Sequence, residues 1–173
     1  MSDSKFLDSY FSNFSKLVQP SSKINNELIA ASKIILKTHK NKKKIMVFGN
    51  GGSAAIASHF TVDLTKTNDI RCYNFNEADH ITCFANDYGF ENWIKKTIEF
   101  HGDEDDLIIL ISSSGNSKNM LNACEAARNF GGFAPGPNRE SRCRDPPAEE
   151  GAMPLDLPSV AGDLDARTMR CPS

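Results

Sequence analysis

Two short turns of small polar residues are the part of the sequence most suited to binding a ligand. The first, Asn50-Gly51-Gly52-Ser53, follows the apolar run Ile45–Phe48, and the second, Ser112–Ser117, follows the apolar run Leu107–Ile111. Each turn is expected to open a helix, whose first backbone N–H groups and partial positive charge attract anions, above all phosphate. One serine-rich turn alone is weak evidence, because serine is a common helix cap. Two such turns together predict a site for a phosphorylated small molecule.

The first turn differs from better-known ligand-binding turns. It lacks the GxxxxGK[ST] pattern of the P-loop nucleotide hydrolases, and it lacks the final glycine of a nucleophile elbow. The residues from Gly49 to Ala54 do fit the loose pattern G-x-G-x-x-A. A dinucleotide-binding fold therefore stays open as a weaker alternative. The structural alternative is a tight turn that only packs the helix on the sheet.

His59 and Asp63 lie four residues apart on the helix predicted after the first turn. That spacing places both side chains on one face of the helix, about one turn apart. An imidazole and a carboxylate so placed can share a metal ion such as zinc, or they can form an ordinary surface pair. On spacing alone the surface pair is the commoner outcome. The other histidines, His39, His80 and His101, are expected to be surface or packing residues.

The elements that must position these residues alternate between strand and helix. Apolar runs predict strands over Ile45–Phe48, Ile70–Phe75 and Leu107–Ile111, the last of which is the most hydrophobic and is expected to be central. A helix is predicted after each turn, the second over Lys118–Phe130. This alternation indicates an α/β fold with a parallel sheet and right-handed crossovers. Ligands of such sheets bind beyond the carboxyl ends of the strands, where both turns fall.

Other segments of the chain are expected to support the sheet. Phe6–Val18 keeps a helical period with four aromatic residues on one stripe, which is typical of a core or of a subunit interface. Ile24–Ile35 is expected to form a second helix. The lysine-rich run Lys40–Lys44 is expected to be a solvated turn before the strand, a phosphate-binding role being the less favoured alternative. Ala85–Gly89 is predicted to be a polar turn. A further helix is predicted from about Glu91 to Phe100.

Composition and charge exclude several classes of protein. The 173 residues are enough for one domain with a substantial core. A net charge of −2 gives no long-range attraction to nucleic acid or to an anionic membrane. Neither a signal peptide nor a membrane-spanning run is expected from the sequence. The five cysteines are scattered without a CxxC motif, which indicates a reducing cytoplasm and mostly inert thiols.

Three motifs resemble the sugar isomerase (SIS) domain family. They are GNGGSAAIASHF, FANDYGFENW and ISSSGNS, and they are most similar to those of the sedoheptulose 7-phosphate isomerases, also called phosphoheptose isomerases. The resemblance covers about residues 6–130. It implies a flavodoxin-like parallel sheet of five strands between helices, and a homotetramer with sites between subunits. It also implies substrate contacts at Asn50, Gly51, Gly52, Ser53, Asn86, Asp87, Ser112, Ser113, Ser114 and Ser117.

The same resemblance changes the interpretation of His59 and Asp63. It implies that both are ligands of zinc and that Asp63 is the acid/base of an aldose–ketose isomerisation, in which a proton moves between neighbouring carbons through an enediol. The family usually carries glutamate at this position, so the shorter aspartate reaches less far. The implied role is cytoplasmic, in lipopolysaccharide heptose biosynthesis. The alternative is a non-catalytic SIS module that binds a phosphorylated sugar or a protein partner, as relatives that associate with the replication initiator do.

Residues 131–173 do not match the family. All thirteen lysines precede Gly131, whereas seven of the eight prolines follow it. Such a segment, without an apolar period, rarely builds a core. The family has two more strands here and a final helix with a glutamine metal ligand and a catalytic histidine, and the segment contains neither residue type. We therefore expect an SIS domain over residues 1–130 and a disordered or frameshifted tail, a genuine linker-like tail being the alternative. We further expect an incomplete and poorly stable fold and weak or absent zinc binding. We expect no isomerase activity at ordinary enzyme rates, since losing the second acid/base group costs at least about a hundredfold.

Overall fold

The computed structural model describes residues 3–129. Their elements are, in order, α1 (Asp3–Leu17), α2 (Ser22–Lys40), β1 (Ile45–Gly49), α3 (Gly52–Val62), a π-helical turn (Asp63–Thr67), β2 (Cys72–Tyr73), α4 (Ala78–Tyr88), α5 (Trp93–His101), β3 (Leu107–Ile111) and α6 (Lys118–Asn129). The predicted tail, residues 131–173, lies outside the described residues, and its disorder stays a prediction. No helix in the described range combines the length and the apolar character needed to cross a membrane.

The three strands of the described range form one parallel sheet in the order β2-β1-β3. β1 lies in the middle, and all five of its residues are buried. Ile45 pairs with Cys72 of β2 and with Leu107 of β3, and the pairing with β3 runs on to Gly49 opposite Ile111. The predicted α/β fold with a parallel sheet is confirmed. Three of the five strands that the resemblance implies lie within residues 3–129, where β1 rather than β3 is central.

Helices cover both faces of this sheet. Because successive side chains of a strand point to opposite faces, β1 contributes to two apolar cores. The core on the α5 and α6 side consists of Met46, Phe48, Trp93, Ile94, Ile98, Ile108, Leu110, Met120, Ala123, Ala126 and Ala127. The core on the α3 side consists of Ile45, Val47, Ala57, Leu64, Ile70, Cys72 and Leu107. Burial on both faces explains the continuous apolar runs of β1 and β3.

An ion-pair cluster fastens the amino ends of β1 and β3. The ammonium of Lys44, just before β1, lies 2.6 Å from a carboxylate oxygen of Asp103 and also contacts the carboxylate of Asp106. Asp106 is buried, and it accepts hydrogen bonds from the backbone N–H of Lys44 at 3.0 Å and of Asp103 at 2.8 Å. The lysine run Lys40–Lys44 thus ends in a structural anchor, at the end of the sheet opposite to the two predicted ligand turns.

β2 is shorter than the strand predicted over Ile70–Phe75. Only Cys72 and Tyr73 pair with β1. The backbone of Phe75 has a φ of 54°, a left-handed conformation that does not continue a strand. Ile70 is nevertheless buried in the core on the α3 side. The apolar pattern therefore identified the buried segment correctly but overestimated the length of the pairing.

α4 extends through the segment predicted to be a polar turn. The helix continues to Tyr88 and ends where Gly89 takes a φ of 84°, which glycine adopts readily. The N–H of Gly89 donates to the carbonyl of Ala85 at 3.0 Å and completes the last helical turn. The prediction of a turn from Ala85 to Gly89 was therefore wrong. Asn86 and Asp87, two of the predicted substrate contacts, lie in that last helical turn.

α1 presents its aromatic stripe to solvent. Every side chain of the helix from Ser4 to Lys16 is exposed, with Phe11 at 59%. The aromatic face of α1 consists of Phe6, Leu7, Tyr10, Phe11 and Phe14. Of the two alternatives that the sequence left for this stripe, packing into a core is wrong for the described part of the chain. A subunit interface stays a prediction.

Candidate functional site

The two predicted ligand turns lie side by side at the carboxyl edge of the sheet. β1 ends at Gly49 and β3 ends at Ile111, and these two residues are partners in the strand pairing. α3 begins at Gly52 and α6 begins at Lys118, so each turn leads from its strand into a helix. The pairing of neighbouring strands therefore brings together two turns that lie far apart in the sequence.

The glycine turn, Asn50 to Ser53, brings the start of α3 close to the end of β1. A Cβ on Gly49 would lie 2.4 Å from the backbone carbon and oxygen of Ser53, so the close approach requires glycine. Gly51, with a φ of 53°, precedes the helix, and no side chain caps its first turn. The first N–H groups of a helix lack intrahelical partners. Here the N–H groups of Ser53 and Ala54 donate to the carbonyls of Asn50 and Gly51, both at 3.0 Å. The N–H groups of Gly51 and Gly52 make no hydrogen bond within residues 3–129, and they are the donors that the turn can offer to a ligand.

The serine turn, Ser112 to Ser117, is held by hydrogen bonds from its own side chains. The hydroxyl oxygen of Ser112 accepts from the N–H of Gly115 at 3.1 Å, and that of Ser114 accepts from the backbone two residues further on at 3.3 Å. Gly115 is buried with a φ of 65°. Ser113 and Ser114 are exposed, and Ser117 directly precedes α6. The turn thus presents hydroxyl groups to solvent beside a helix N-terminus.

A reciprocal pair of side-chain amides joins the two turns. Asn50 Nδ2 donates to Asn119 Oδ1 at 3.0 Å, and Asn119 Nδ2 donates to Asn50 Oδ1 at 2.8 Å. Asn119 is the second residue of α6 and is only 2% exposed. The sequence interpretation included Asn50 but missed Asn119. No local pattern could have identified it, because the two residues are 69 positions apart.

His59 on α3 and Asp63 at the start of the π-helical turn are close in space, as their spacing predicted. His59 Nε2 lies 3.6 Å from Asp63 Oδ2, and the two side chains are 81% and 56% exposed. By itself this geometry is that of a surface pair. A short π-helical segment is frequent at functional sites, and exposure leaves both groups accessible to a ligand. The roles of His59 as a metal ligand and of Asp63 as a metal ligand and acid/base remain predictions.

A zinc ion would need more donors than this pair supplies. Two ligands of one tetrahedral zinc lie roughly 3.4 Å apart, so the separation of 3.6 Å suits two donors to the same ion. Zinc sites take three or four protein ligands. Within residues 3–129, no group of three or more His, Cys, Asp or Glu side chains could hold a metal. The described residues therefore do not complete a zinc site by themselves.

Asn86 and Asp87 pair with each other at the end of α4. Asn86 Nδ2 donates to Asp87 Oδ1 at 2.9 Å, and both residues are exposed. Cys83, one helical turn earlier, lies 3.9 Å from the other carboxylate oxygen of Asp87. No hydrogen bond in the described part of the chain joins Asn86 or Asp87 to the glycine turn or to the serine turn. Their predicted contact with substrate stays a prediction.

Comparison with protein families and known sequences identifies relatives of this chain. The SIS domain family matches residues 9–132. The phosphoheptose isomerase of Helicobacter pylori (strain P12) is 38% identical over 104 residues, which are 57% of this chain and 54% of that protein. The phosphoheptose isomerase of Aliarcobacter butzleri is 41% identical over 107 residues, which are 58% of this chain and 57% of that protein. The chain thus spans about half the length of these relatives.

Two solved structures to which this chain is similar are also phosphoheptose isomerases. A phosphoheptose isomerase from Francisella tularensis superposes with a TM-score of 0.69 and 30% identity, over 78% of this chain and 73% of that one. The phosphoheptose isomerase of Neisseria gonorrhoeae superposes with a TM-score of 0.65 and 28% identity, over 75% of this chain and 72% of that one. The chain therefore belongs to the SIS domain family, in which its relatives are phosphoheptose isomerases.

Proposed function

We propose that the chain binds a phosphorylated sugar between its two turns. We also propose that the site serves the isomerisation of sedoheptulose 7-phosphate to an aldose phosphate. The observation that carries the proposal is the placement of two helix N-termini at the ends of neighbouring parallel strands. The names of the relatives indicate the substrate class. A phosphate held there would orient the sugar for the reaction.

Asp63 is the residue that we propose as the acid/base. His59 lies roughly 10 Å along the helix axis from the start of α3 at Gly52, since each residue of a helix rises about 1.5 Å. Asp63 is one turn further, and helical side chains tilt back toward the N-terminus. The carboxylate would take the proton beside the carbonyl and return it to the neighbouring carbon.

Exchange with solvent deuterium tests this proposal. The chain is incubated with sedoheptulose 7-phosphate in D₂O, and both product and deuterium incorporation are followed by NMR. Binding with slow turnover is expected, at least about a hundredfold below an ordinary isomerase, because the tail lacks the family's second acid/base group. Asp63→Asn should abolish the exchange that remains. Binding without any exchange would identify the non-catalytic module, and tight binding of NAD would favour the dinucleotide alternative.

Replacing Ser114 and Ser117 together with alanine is expected to weaken the binding of sedoheptulose 7-phosphate. The loss should be about 1–3 kcal/mol, because hydrogen bonds to a charged phosphate lose their partners. Isothermal titration calorimetry measures the change. Ser15→Ala, on the exposed surface of α1, is the matched control and should bind as the parent does. An unchanged affinity in the double variant would remove the serine turn from the site.

Zinc is expected to bind weakly. His59 and Asp63 supply two donors of the three or four that a zinc site takes. After dialysis against zinc-free buffer, metal analysis should find much less than one zinc per chain. His59→Ala should lower the remaining affinity further. Stoichiometric zinc after dialysis would show that groups other than those of residues 3–129 complete the site.

A second copy of the chain is expected to cover the aromatic face of α1, in the homo-oligomer that the family resemblance implies. Five large side chains are exposed on one side of this helix, and exposed apolar patches of this kind mark interaction sites. Phe11→Asp should therefore dissociate the assembly in sedimentation velocity experiments. Ser9→Asp adds the same charge outside the aromatic face and should leave the assembly intact. A monomeric parent protein would contradict this expectation.

A further inference from the structure

We infer that Asn119 is a positioning residue, which holds Asn50 and with it the glycine turn at a fixed place relative to the serine turn. The inference rests on the proposed function, because it assigns how two turns would share one ligand. Asn119 belongs to neither predicted turn. Its side chain would act on the ligand only through Asn50.

Asn50 connects the starts of two helices. Its backbone carbonyl accepts from the N–H of Ser53 at 3.0 Å, in the first turn of α3. Its side-chain amide pairs with Asn119 in the first turn of α6 through hydrogen bonds of 3.0 and 2.8 Å. Two parallel bonds between amides fix both the distance and the relative orientation of the two groups. A movement of Asn119 would therefore be transmitted to Asn50 and to the backbone of the glycine turn.

The burial of Asn119 explains why this connection is stiff. The residue is 2% exposed, and the two bonds to Asn50 are the hydrogen bonds that its side chain makes within residues 3–129. A buried amide without partners is costly, so the pair has no favourable alternative arrangement. In Asn119→Ala, the half-buried side chain of Asn50 would lose both partners at once. Asn50 could then turn toward solvent, and the glycine turn would be released.

The effect of Asn119→Ala on binding depends on whether the ligand contacts one turn or both. A sugar phosphate has to contact both turns, with its phosphate at one and its hydroxyl groups at the other. Binding and reaction then depend on the separation of the turns, since a displacement of about 1 Å can disturb a bound geometry severely. Inorganic phosphate lacks the hydroxyl groups with which a sugar phosphate would contact the second turn. Its affinity for the serine turn should not depend on Asn119.

Asn122 provides a matched control on the same helix. Its Nδ2 donates to the carbonyl of Glu91 and to Oδ1 of Asn92, both at 2.9 Å, and so fastens α6 to the segment before α5. Asn122→Ala therefore removes two hydrogen bonds of a side-chain amide from α6, as Asn119→Ala does. It leaves the contacts of both turns intact. Both variants should lower the melting temperature, but only Asn119→Ala should change ligand selectivity.

The experiment compares the full chain with Asn119→Ala and Asn122→Ala. Calorimetry measures the Kd of sedoheptulose 7-phosphate and of inorganic phosphate, and hydrogen–deuterium exchange follows the peptide over residues 49–54. Asn119→Ala is expected to weaken binding of the sugar phosphate by about tenfold, because the released glycine turn has to be ordered again when the ligand binds. It should leave the Kd of inorganic phosphate unchanged and speed exchange in the glycine turn. Asn122→Ala should change none of these three quantities.

Three results would overturn the inference. Equal weakening of both ligands by Asn119→Ala, or an equal effect of Asn122→Ala, would show that Asn119 supports only the general stability of α6. Unchanged exchange over residues 49–54 in Asn119→Ala would show that the amide pair does not hold the glycine turn. If the parent chain bound no sugar phosphate, the proposed function would fail. The exchange measurement would then still decide whether Asn119 positions the turn.

Discussion

Replacing Asp106 with alanine is expected to lower the free energy of unfolding by about 3–5 kcal/mol, the usual cost of breaking a buried ion pair by removing one partner. The carboxylate of Asp106 is buried, contacts the ammonium of Lys44, and accepts two backbone N–H groups. Its removal leaves the two backbone N–H groups without their acceptor, and it leaves the Lys44 ammonium with the exposed Asp103 as its partner. A domain of this size has a total stability of about 5–15 kcal/mol. The variant should therefore be close to unfolding.

Asp103→Ala is the matched control for Asp106→Ala. Both carboxylates contact Lys44, but the side chain of Asp103 is 76% exposed, and water replaces an exposed partner well. Burial by itself would lower the pKa of the Lys44 ammonium, yet the hydrogen bonds and charges of Asp103 and Asp106 outweigh it and raise that pKa. Urea denaturation followed by circular dichroism measures both variants. Equal losses would contradict the assignment of Asp106 as the anchor of the two strands.

The sequence predicted those parts of the site that depend on residues close together in the chain. The glycine turn and the serine turn each contain small residues between an apolar strand and a helix, and both occur where they were predicted. Proximity of His59 and Asp63 follows from the four-residue spacing on a helix and is present at 3.6 Å. Each of these features is determined by residues that are separated in the sequence by no more than about one helical turn or the length of one strand.

The features that the sequence did not predict depend on distant or unusual contacts. The pairing of Asn50 with Asn119 spans 69 positions and involves one polar residue on each side, which leaves no periodic signal. The segment of Asn86 and Asp87 has the composition of a turn, but it continues α4 until Gly89 ends the helix. β2 stops early because Phe75 takes a left-handed φ, although its apolar character favours a strand. The first feature has no local signal, and in the other two the folded chain departs from the local preference.

Trp93 is the largest of the fully buried side chains in the described range. It begins α5, is 1% exposed, and belongs to the core between the sheet, α5 and α6. Its ring lies edge-on to that of Phe48 on β1, with centroids 6.1 Å apart and planes at 72°. Such aromatic pairs contribute beyond the area that they bury. Trp93 thus links the helical layer to the central strand.

Trp93→Ala is expected to lower the free energy of unfolding by about 3–5 kcal/mol, because it removes this contact and leaves a cavity. Trp93→Phe should cost clearly less. It keeps an aromatic ring against Phe48, and it removes Nε1, which is buried without a hydrogen-bond acceptor in the described part of the chain. An unpaired buried donor destabilises the folded state by about 1–3 kcal/mol. Removing it therefore offsets part of the stability that is lost with the larger ring. Urea denaturation followed by far-ultraviolet circular dichroism compares the variants, since both lack the only tryptophan. Equal losses would indicate that Nε1 has an acceptor which residues 3–129 do not provide.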